Sequence, residues 1–150
     1  MLQLPRKTLY AIESVLDIAY HAGGEAVQSR EITRRQGIPR RYLEQALQQL
    51  VRSGILVGVR GPRGGYRLAR ERRRITVGDI VRVVGISEPE TNGGDDGGSE
   101  LGRKVVRPLW SELEARLMER LDSITIDELC NRADAASIVG EGRQHLDFSI

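Results

Sequence analysis

The feature that most constrains this chain lies at residues 54 to 69, Gly-Ile-Leu-Val-Gly-Val-Arg-Gly-Pro-Arg-Gly-Gly-Tyr-Arg-Leu-Ala. Strand character comes from the Ile55, Leu56, Val57, Val59 run and from the alternation of Tyr66 and Leu68 with Arg67 and Ala69. Gly61, Pro62, Gly64 and Gly65 supply turn backbone, so Arg60 and Arg63 are carried to the tip of a hairpin. A charged hairpin tip by itself is ordinary solvated surface. This one stands directly behind a short helical pattern that opens with two arginines, Arg40 and Arg41, and that order predicts a wing behind a recognition helix.

The pattern upstream completes the motif. Leu9, Ile12, Val15, Leu16 and Ala19 recur at three- and four-residue spacing, predicting an amphipathic helix over 6–22 that ends at Gly23 and Gly24. Ser29 is an N-cap candidate for a short second helix through Gln36, with Ile32 inward and Arg30, Arg34 and Arg35 outward, closed by Gly37. A third helix begins at Pro39, with Leu43, Ala46, Leu47, Leu50 and Val51 on one apolar stripe before Gly54. Its opposite face offers Arg40, Arg41, Tyr42, Glu44, Gln45, Gln48 and Arg52. In the major groove Arg suits guanine, Gln suits adenine and Glu accepts from cytosine, so this face is the candidate base reader. Arg60, Gly61, Pro62, Arg63 and Gly64 are the candidate minor-groove wing, and Arg6, Lys7, Thr8, Ser29 and Arg30 the candidate phosphate contacts.

Charge supports the same half. Net charge is only +2, yet residues 1–86 carry 16 Lys plus Arg against 7 acids, whereas residues 87–150 carry 7 against 14. The basic half is therefore the one suited to a polyanion, and 15 of its cations are arginine, whose planar fork fits phosphate and guanine edges. No apolar run approaches the roughly 18 residues of a membrane span, and the N-terminus lacks the apolar core of a signal peptide, so a cytoplasmic protein is expected. No Ser-His-Asp, Cys-His, phosphate-loop or paired-carboxylate pattern occurs, and an enzyme is not expected.

Beyond the wing, Arg70 to Arg74 forms a basic link, and Thr76-Val-Gly-Asp79 opens a fourth helix with Val77, Ile80, Val81 and Val84 inward. Residues 87–100 hold four glycines, a proline and five acids, a composition that does not pack, and read as an acidic linker. A long helix follows over 101–122, where Leu109, Leu113, Leu117 and Leu121 recur every fourth residue beside Trp110 and Met118. Such a stripe needs a cover, and an identical stripe from a second subunit is the economical one, matching palindromic DNA. A last short helix around Ile124 to Ala133 carries Ile126, Leu129 and Cys130. The expected organisation is a DNA-binding domain at 1–86, the linker at 87–100, dimer helix and short helix at 101–133, and a tail at 134–150, weakly ordered from Gly140. The fold class is mainly α with one small β-hairpin: a winged helix-turn-helix plus a long C-terminal dimerisation helix.

At this level of detail the chain resembles the Rrf-two family of bacterial winged-helix transcription regulators. The likeness rests on Tyr10-Ala11, Leu16-Asp17-Ile18-Ala19, Gln36-Gly37-Ile38, Tyr42-Leu43-Glu44-Gln45, Val59-Arg60-Gly61-Pro62, Gly64-Gly65-Tyr66-Arg67-Leu68-Ala69, Thr76-Val77, Asp79-Ile80, Leu109-Trp110 and Ser123-Ile124-Thr125. It implies a homodimeric regulator, with the major-groove helix on Pro39 to Arg52, the wing arginine at Arg60 and the dimer helix over 101–122. Arg63 stands where the family usually has glycine.

The same resemblance exposes a departure. The best-known members hold an iron-sulfur cluster on three cysteines shortly before a Leu-Trp pair. Counting back from Leu109-Trp110, those positions fall near Asn92, Gly98 and Lys104, with Arg107 near a histidine position. None is a thiolate, so no cofactor or metal is expected. Three other sensors remain open. Glu88, Glu90, Asp95, Asp96 and Glu100 fit no ordered calcium loop and read as linker. Cys130 is either a thiol switch or, on its apolar face, a small buried hydrophobe. His21 and His145 stand alone and read as structural or exposed. The last option is a protein partner or small-molecule effector. The expected function is a homodimeric repressor on a palindromic operator, working without a cluster; the alternatives are a winged-helix protein-interaction module or a thiol-switch regulator.

Overall fold

The computed structural model describes residues 4–85 and 98–141. Its elements are α1 (Arg6–His21), α2 (Ser29–Gln36), α3 (Arg40–Arg52), β1 (Leu56–Val59), β2 (Gly65–Leu68), α4 (Val77–Val84), α5 (Arg107–Asp122) and α6 (Ile126–Ala135). A single 3-10 turn, Arg72–Arg74, falls in the basic link, and a π-helical stretch, Gly102–Val106, precedes α5. The fold is mainly helical with one antiparallel hairpin, as the sequence predicts.

The core lies where α1, α3, α4 and the hairpin base meet. Ala11, Val15, Ile18, Ile32, Ile38, Leu43, Leu47, Leu50, Ile55, Leu56, Ile75, Ile80 and Ile126 are buried together. In α1 the buried residues are Thr8, Ala11, Ser14, Val15, Asp17 and Ile18, so of the predicted row Leu9, Ile12, Val15, Leu16 and Ala19 only Val15 lies in the core. Leu9 is 41% exposed, and Ile12, Leu16 and Ala19 pack around the core's margin. Helix α1 is packed against α2, α3, α4, α6 and β2 at once, and hydrophobicity alone does not register which row faces that crowding. Val51, assigned to the α3 stripe, likewise faces outward at 36% exposure.

Local signals set the helix ends. Thr76 and Asp79 form a reciprocal capping box at α4, each side chain accepting the other's backbone N–H at 3.0 Å. Gly37 closes α2 in the left-handed conformation at φ 66°. The N-cap of α2 is Gln28, with Ser29 its first helical residue, and Gln28 N–H donates to Glu31 Oε2 at 3.0 Å. Pro108 explains the π stretch, because it has no N–H for the carbonyl four residues back and its ring collides with it. Ser99 Oγ accepts the Gly102 N–H at 3.1 Å, so helical structure begins where the linker's last residues are described. The rest of that linker, including Glu88, Glu90, Asn92, Asp95 and Asp96, lies outside the described residues, as do the tail beyond Glu141 and His145.

Candidate nucleic-acid interface

The hairpin pairs Leu56 with Leu68, Val57 with Arg67, Gly58 with Tyr66 and Val59 with Gly65. Leu56 is buried, which fixes the hairpin base to the core, while Arg60 and Arg63 project at the exposed tip. Gly64 N–H donates to the Gly61 carbonyl at 2.9 Å, closing the turn, and Gly61 sits at φ 107°. A Cβ on Gly64 would stand 2.3 Å from the Val59 carbonyl oxygen. The wing is also docked to the segment before α2: Val27 and Tyr66 exchange backbone hydrogen bonds at 2.9 and 2.8 Å. Gly65, at φ 148°, lets that segment approach, since a Cβ there would meet the Val27 carbonyl oxygen at 2.4 Å. Gln28 Nε2 reaches the Pro62 carbonyl at 3.4 Å.

On α3, Leu43, Ala46, Leu47 and Leu50 are buried. The other side displays Arg40, Arg41, Tyr42, Glu44, Gln45 and Gln48, all exposed. Tyr42 leans its ring on Tyr10, with centroids 6.0 Å apart. Arg40 Nε donates to Glu44 Oε1 at 2.9 Å, a surface pair between neighbouring turns. Such a pair adds little stability, so it holds neither side chain firmly in place.

Between wing, α2 and α3 runs an open cleft of about 650 Å³, lined by Gln28, Ser29, Arg30, Thr33, Arg40 and Tyr66 among others. A second hollow of about 400 Å³ brings Lys7 beside Tyr42, Gln45, Gln48, Gln49 and Arg52. Predicted phosphate and base residues from distant stretches thus share two hollows. Gln28, Thr33 and Gln49 join them, as do Tyr66 of the wing strand and Val84 of α4; Gln49 and Arg52 continue the α3 face at helical spacing, whereas Gln28 and Thr33 depend on how the wing docks.

Helix electrostatics sharpen the picture. Both α1 and α3 open with two cations and no acid in the first turn: Arg6 and Lys7, Arg40 and Arg41. Positive side chains at the positive end of a helix dipole are unfavourable by about 0.3–1 kcal/mol each, and a polyanion turns that penalty into attraction.

One expected contact and one expected orientation are corrected. Thr8 is fully buried and its hydroxyl donates to the Gly85 carbonyl at 2.5 Å, so it ties α1 to the end of α4 and has no surface to offer a phosphate. Arg35, expected to point outward, has a side chain only 9% exposed and makes a bidentate pair with buried Asp17 at 2.8 and 2.9 Å. Gln36 Nε2 adds a third bond to Asp17 at 2.8 Å, so the carboxylate pins α1 to the end of α2. Asp17's isolation in an otherwise apolar stretch of α1 was the available signal, because a buried acid requires a partner.

On α5 no residue is buried: Leu109, Trp110, Leu113 and Leu117 are 42–51% exposed, and Leu121 is half-buried. Cys130 is buried, and desolvation pushes its thiol above the ordinary cysteine range despite the nearby Arg72. A reactive thiol needs the opposite environment. At the cluster positions within the described residues stand Gly98, Lys104 and Arg107, and Lys104 Nζ is engaged with Glu100 at 2.9 Å. An ammonium and a guanidinium do not ligate iron, and Cys130 on α6 is the chain's one cysteine, so this donor set does not fit an iron-sulfur cluster. Among the described residues no group of three potential ligands meets, and no helix is long and apolar enough to cross a membrane.

A reading helix backed by a docked wing defines a winged helix-turn-helix DNA-binding protein. The sequence profile of the Rrf2 family, described as an iron-dependent transcriptional regulator, matches residues 4–132. This chain belongs to that family and is a transcriptional regulator. It is 35% identical over 145 residues to the HTH-type transcriptional regulator IscR of Klebsiella pneumoniae, covering 96% of this chain and 89% of the relative. Identity to IscR of Escherichia coli K12 is 36%, over 96% and 88% of the two chains. Among solved structures it is similar to T. potens IscR, with TM-score 0.72, 35% identity and 90% of each chain covered. It is also similar to CymR, the global cysteine regulator of B. subtilis, with TM-score 0.68 and 29% identity, covering 88% of this chain and 98% of that one.

Proposed function

We propose that this regulator works in the cytoplasm as a homodimeric repressor on a palindromic operator, without an iron-sulfur cluster. The observation that carries the reading is the meeting of three basic elements, the α3 face, the α2 start and the wing, around one open cleft. Residues 1–86 hold the DNA. Arg40, Arg41, Tyr42, Glu44, Gln45 and Gln48 meet bases, Arg60 and Arg63 enter the flanking minor groove, and Arg6, Lys7, Ser29 and Arg30 set register on phosphates. A second copy covers the α5 stripe, placing two reading helices about 34 Å apart on one face of the duplex. Occlusion of RNA polymerase is then the simplest outcome of binding.

Salt tests the DNA reading. Affinity for a duplex selected by the protein from a random library is expected to fall by roughly one power of salt per phosphate contacted. A loss of no more than twofold between low and moderate salt would count against it and favour a protein-interaction module. Anaerobic purification followed by a visible spectrum tests the cluster, and a stoichiometric iron-sulfur band would overturn that part of the proposal.

A further inference from the structure

The last described residues fold back onto the helix-turn-helix. After α6 the chain turns so that the Tyr20 hydroxyl donates to the Ile138 carbonyl and, at 3.1 Å, to Asp134 Oδ1. Gly140 is buried against α1, where a Cβ would stand 2.9 Å from the Tyr20 carbonyl oxygen. Glu141 then closes the loop. Its backbone N–H donates to His21 Nδ1 at 3.1 Å. Its carboxylate accepts from Arg34 at 2.9 and 3.0 Å and from Arg35 at 2.7 Å. Arg35 is the same guanidinium that holds Asp17, so one side chain links α1, α2 and the C-terminal segment.

This arrangement has two properties that a loosely laid tail lacks. It clamps the C-terminal end of α2, whose start lines the DNA cleft, and it requires His21 Nδ1 to be an acceptor. Protonation would put a hydrogen on that atom, facing the Glu141 N–H. We infer that residues 138–141 form a proton-releasable strap that pins α2 to α1 and thereby holds the reading surface in place. The coupling to DNA rests on the function proposed above; the strap itself does not.

The charged groups facing His21 are Asp17 on its own helix, Arg34 and Arg35 on α2, and Glu141, with Asp134 of α6 on the neighbouring Tyr20. Burial is the largest influence and holds the imidazole below its ordinary range; the two carboxylates pull it up and the two arginines push it down. For Glu141, burial pushes the carboxyl up but is outweighed by Arg34 and Arg35 together, so it stays ionised through mild acid. A base whose folded pKa is depressed gives stability that is complete above its unfolded pKa, about 6.5, and that declines as pH falls below that value. The strap is therefore closed at neutral pH and opens on mild acidification.

The test is amide hydrogen exchange on the full-length protein, read as protection of α2 and of residues 138–141. Glu141→Ala at about pH 8 is expected to lower α2 protection by about threefold to fivefold, the range for a partly exposed charged pair. Wild type brought to about pH 5.5 should match it, while His21→Gln, which keeps an acceptor and does not titrate, should hold its protection across that range. Unchanged α2 protection in Glu141→Ala, or equal acid sensitivity in His21→Gln, overturns the strap. Affinity for the selected duplex is then compared between wild type and Glu141→Ala: a parallel drop supports the coupling, and equal affinity overturns it. Failure to select any duplex would count against DNA reading alone, since the exchange experiment still decides the strap.

Discussion

Helices α3 and α5 make opposite demands on their surroundings. Both are widely exposed to solvent, but α3 shows arginine, glutamine and glutamate over a buried row of Leu43, Ala46, Leu47 and Leu50. By contrast α5 buries nothing and shows Leu109, Trp110, Leu113 and Leu117. The polar face of α3 is content in water and can wait for a ligand, while a contiguous apolar stripe in water costs free energy until covered. The polar face of α3 thus needs no cover, whereas the α5 stripe would gain one in the dimer proposed above.

The largest effect is expected where α1 and α2 are joined. Asp17→Ala leaves Arg35 without its bidentate partner in a site only 9% exposed, and stability is expected to fall by about 3–5 kcal/mol. Chemical denaturation monitored by circular dichroism measures it, and a loss under about 1 kcal/mol would mean that α1 and α2 are held by packing alone.

The next sharpens the α5 side. Leu113→Glu puts a charge in the exposed stripe, and the protein should sediment as a monomer while losing about 10²-fold or more in affinity for a palindromic duplex, because two linked half-sites become one. An unchanged sedimentation coefficient would show that another surface joins the subunits.

The smallest effect concerns the wing. Arg60→Ala should weaken binding to the selected duplex by about 1–3 kcal/mol and leave the melting temperature unaltered, since the side chain is exposed and outside the core. A footprint identical to wild type at equal protein concentration would remove Arg60 from the minor groove.

Much of this architecture is legible in the chain because each signal is local. Thr76-x-x-Asp79 caps α4, Gly37 ends α2, and Gly61, Gly64 and Gly65 fall where the turn needs positive φ or close backbone approach. The α3 face is legible for the same reason: a helix sorts its side chains by a fixed period. Burial that arises from several neighbours at once is not legible in this way. Thr8, polar and next to two cations, reads as surface until α4 is seen to end against it. Arg35 reads as solvated until Asp17, eighteen residues away, is seen to lie beneath it.

By itself, then, the sequence determined the element order, the wing, the polar face of α3 and the absence of cysteine ligands for a cluster, all properties of residue type and near-neighbour spacing. Only the tertiary structure decided which row of α1 is core, which arginines are free for a partner, and that Glu141 returns to His21 across 120 residues. Those depend on which elements pack together, and a contact between distant segments leaves no periodic trace in either one.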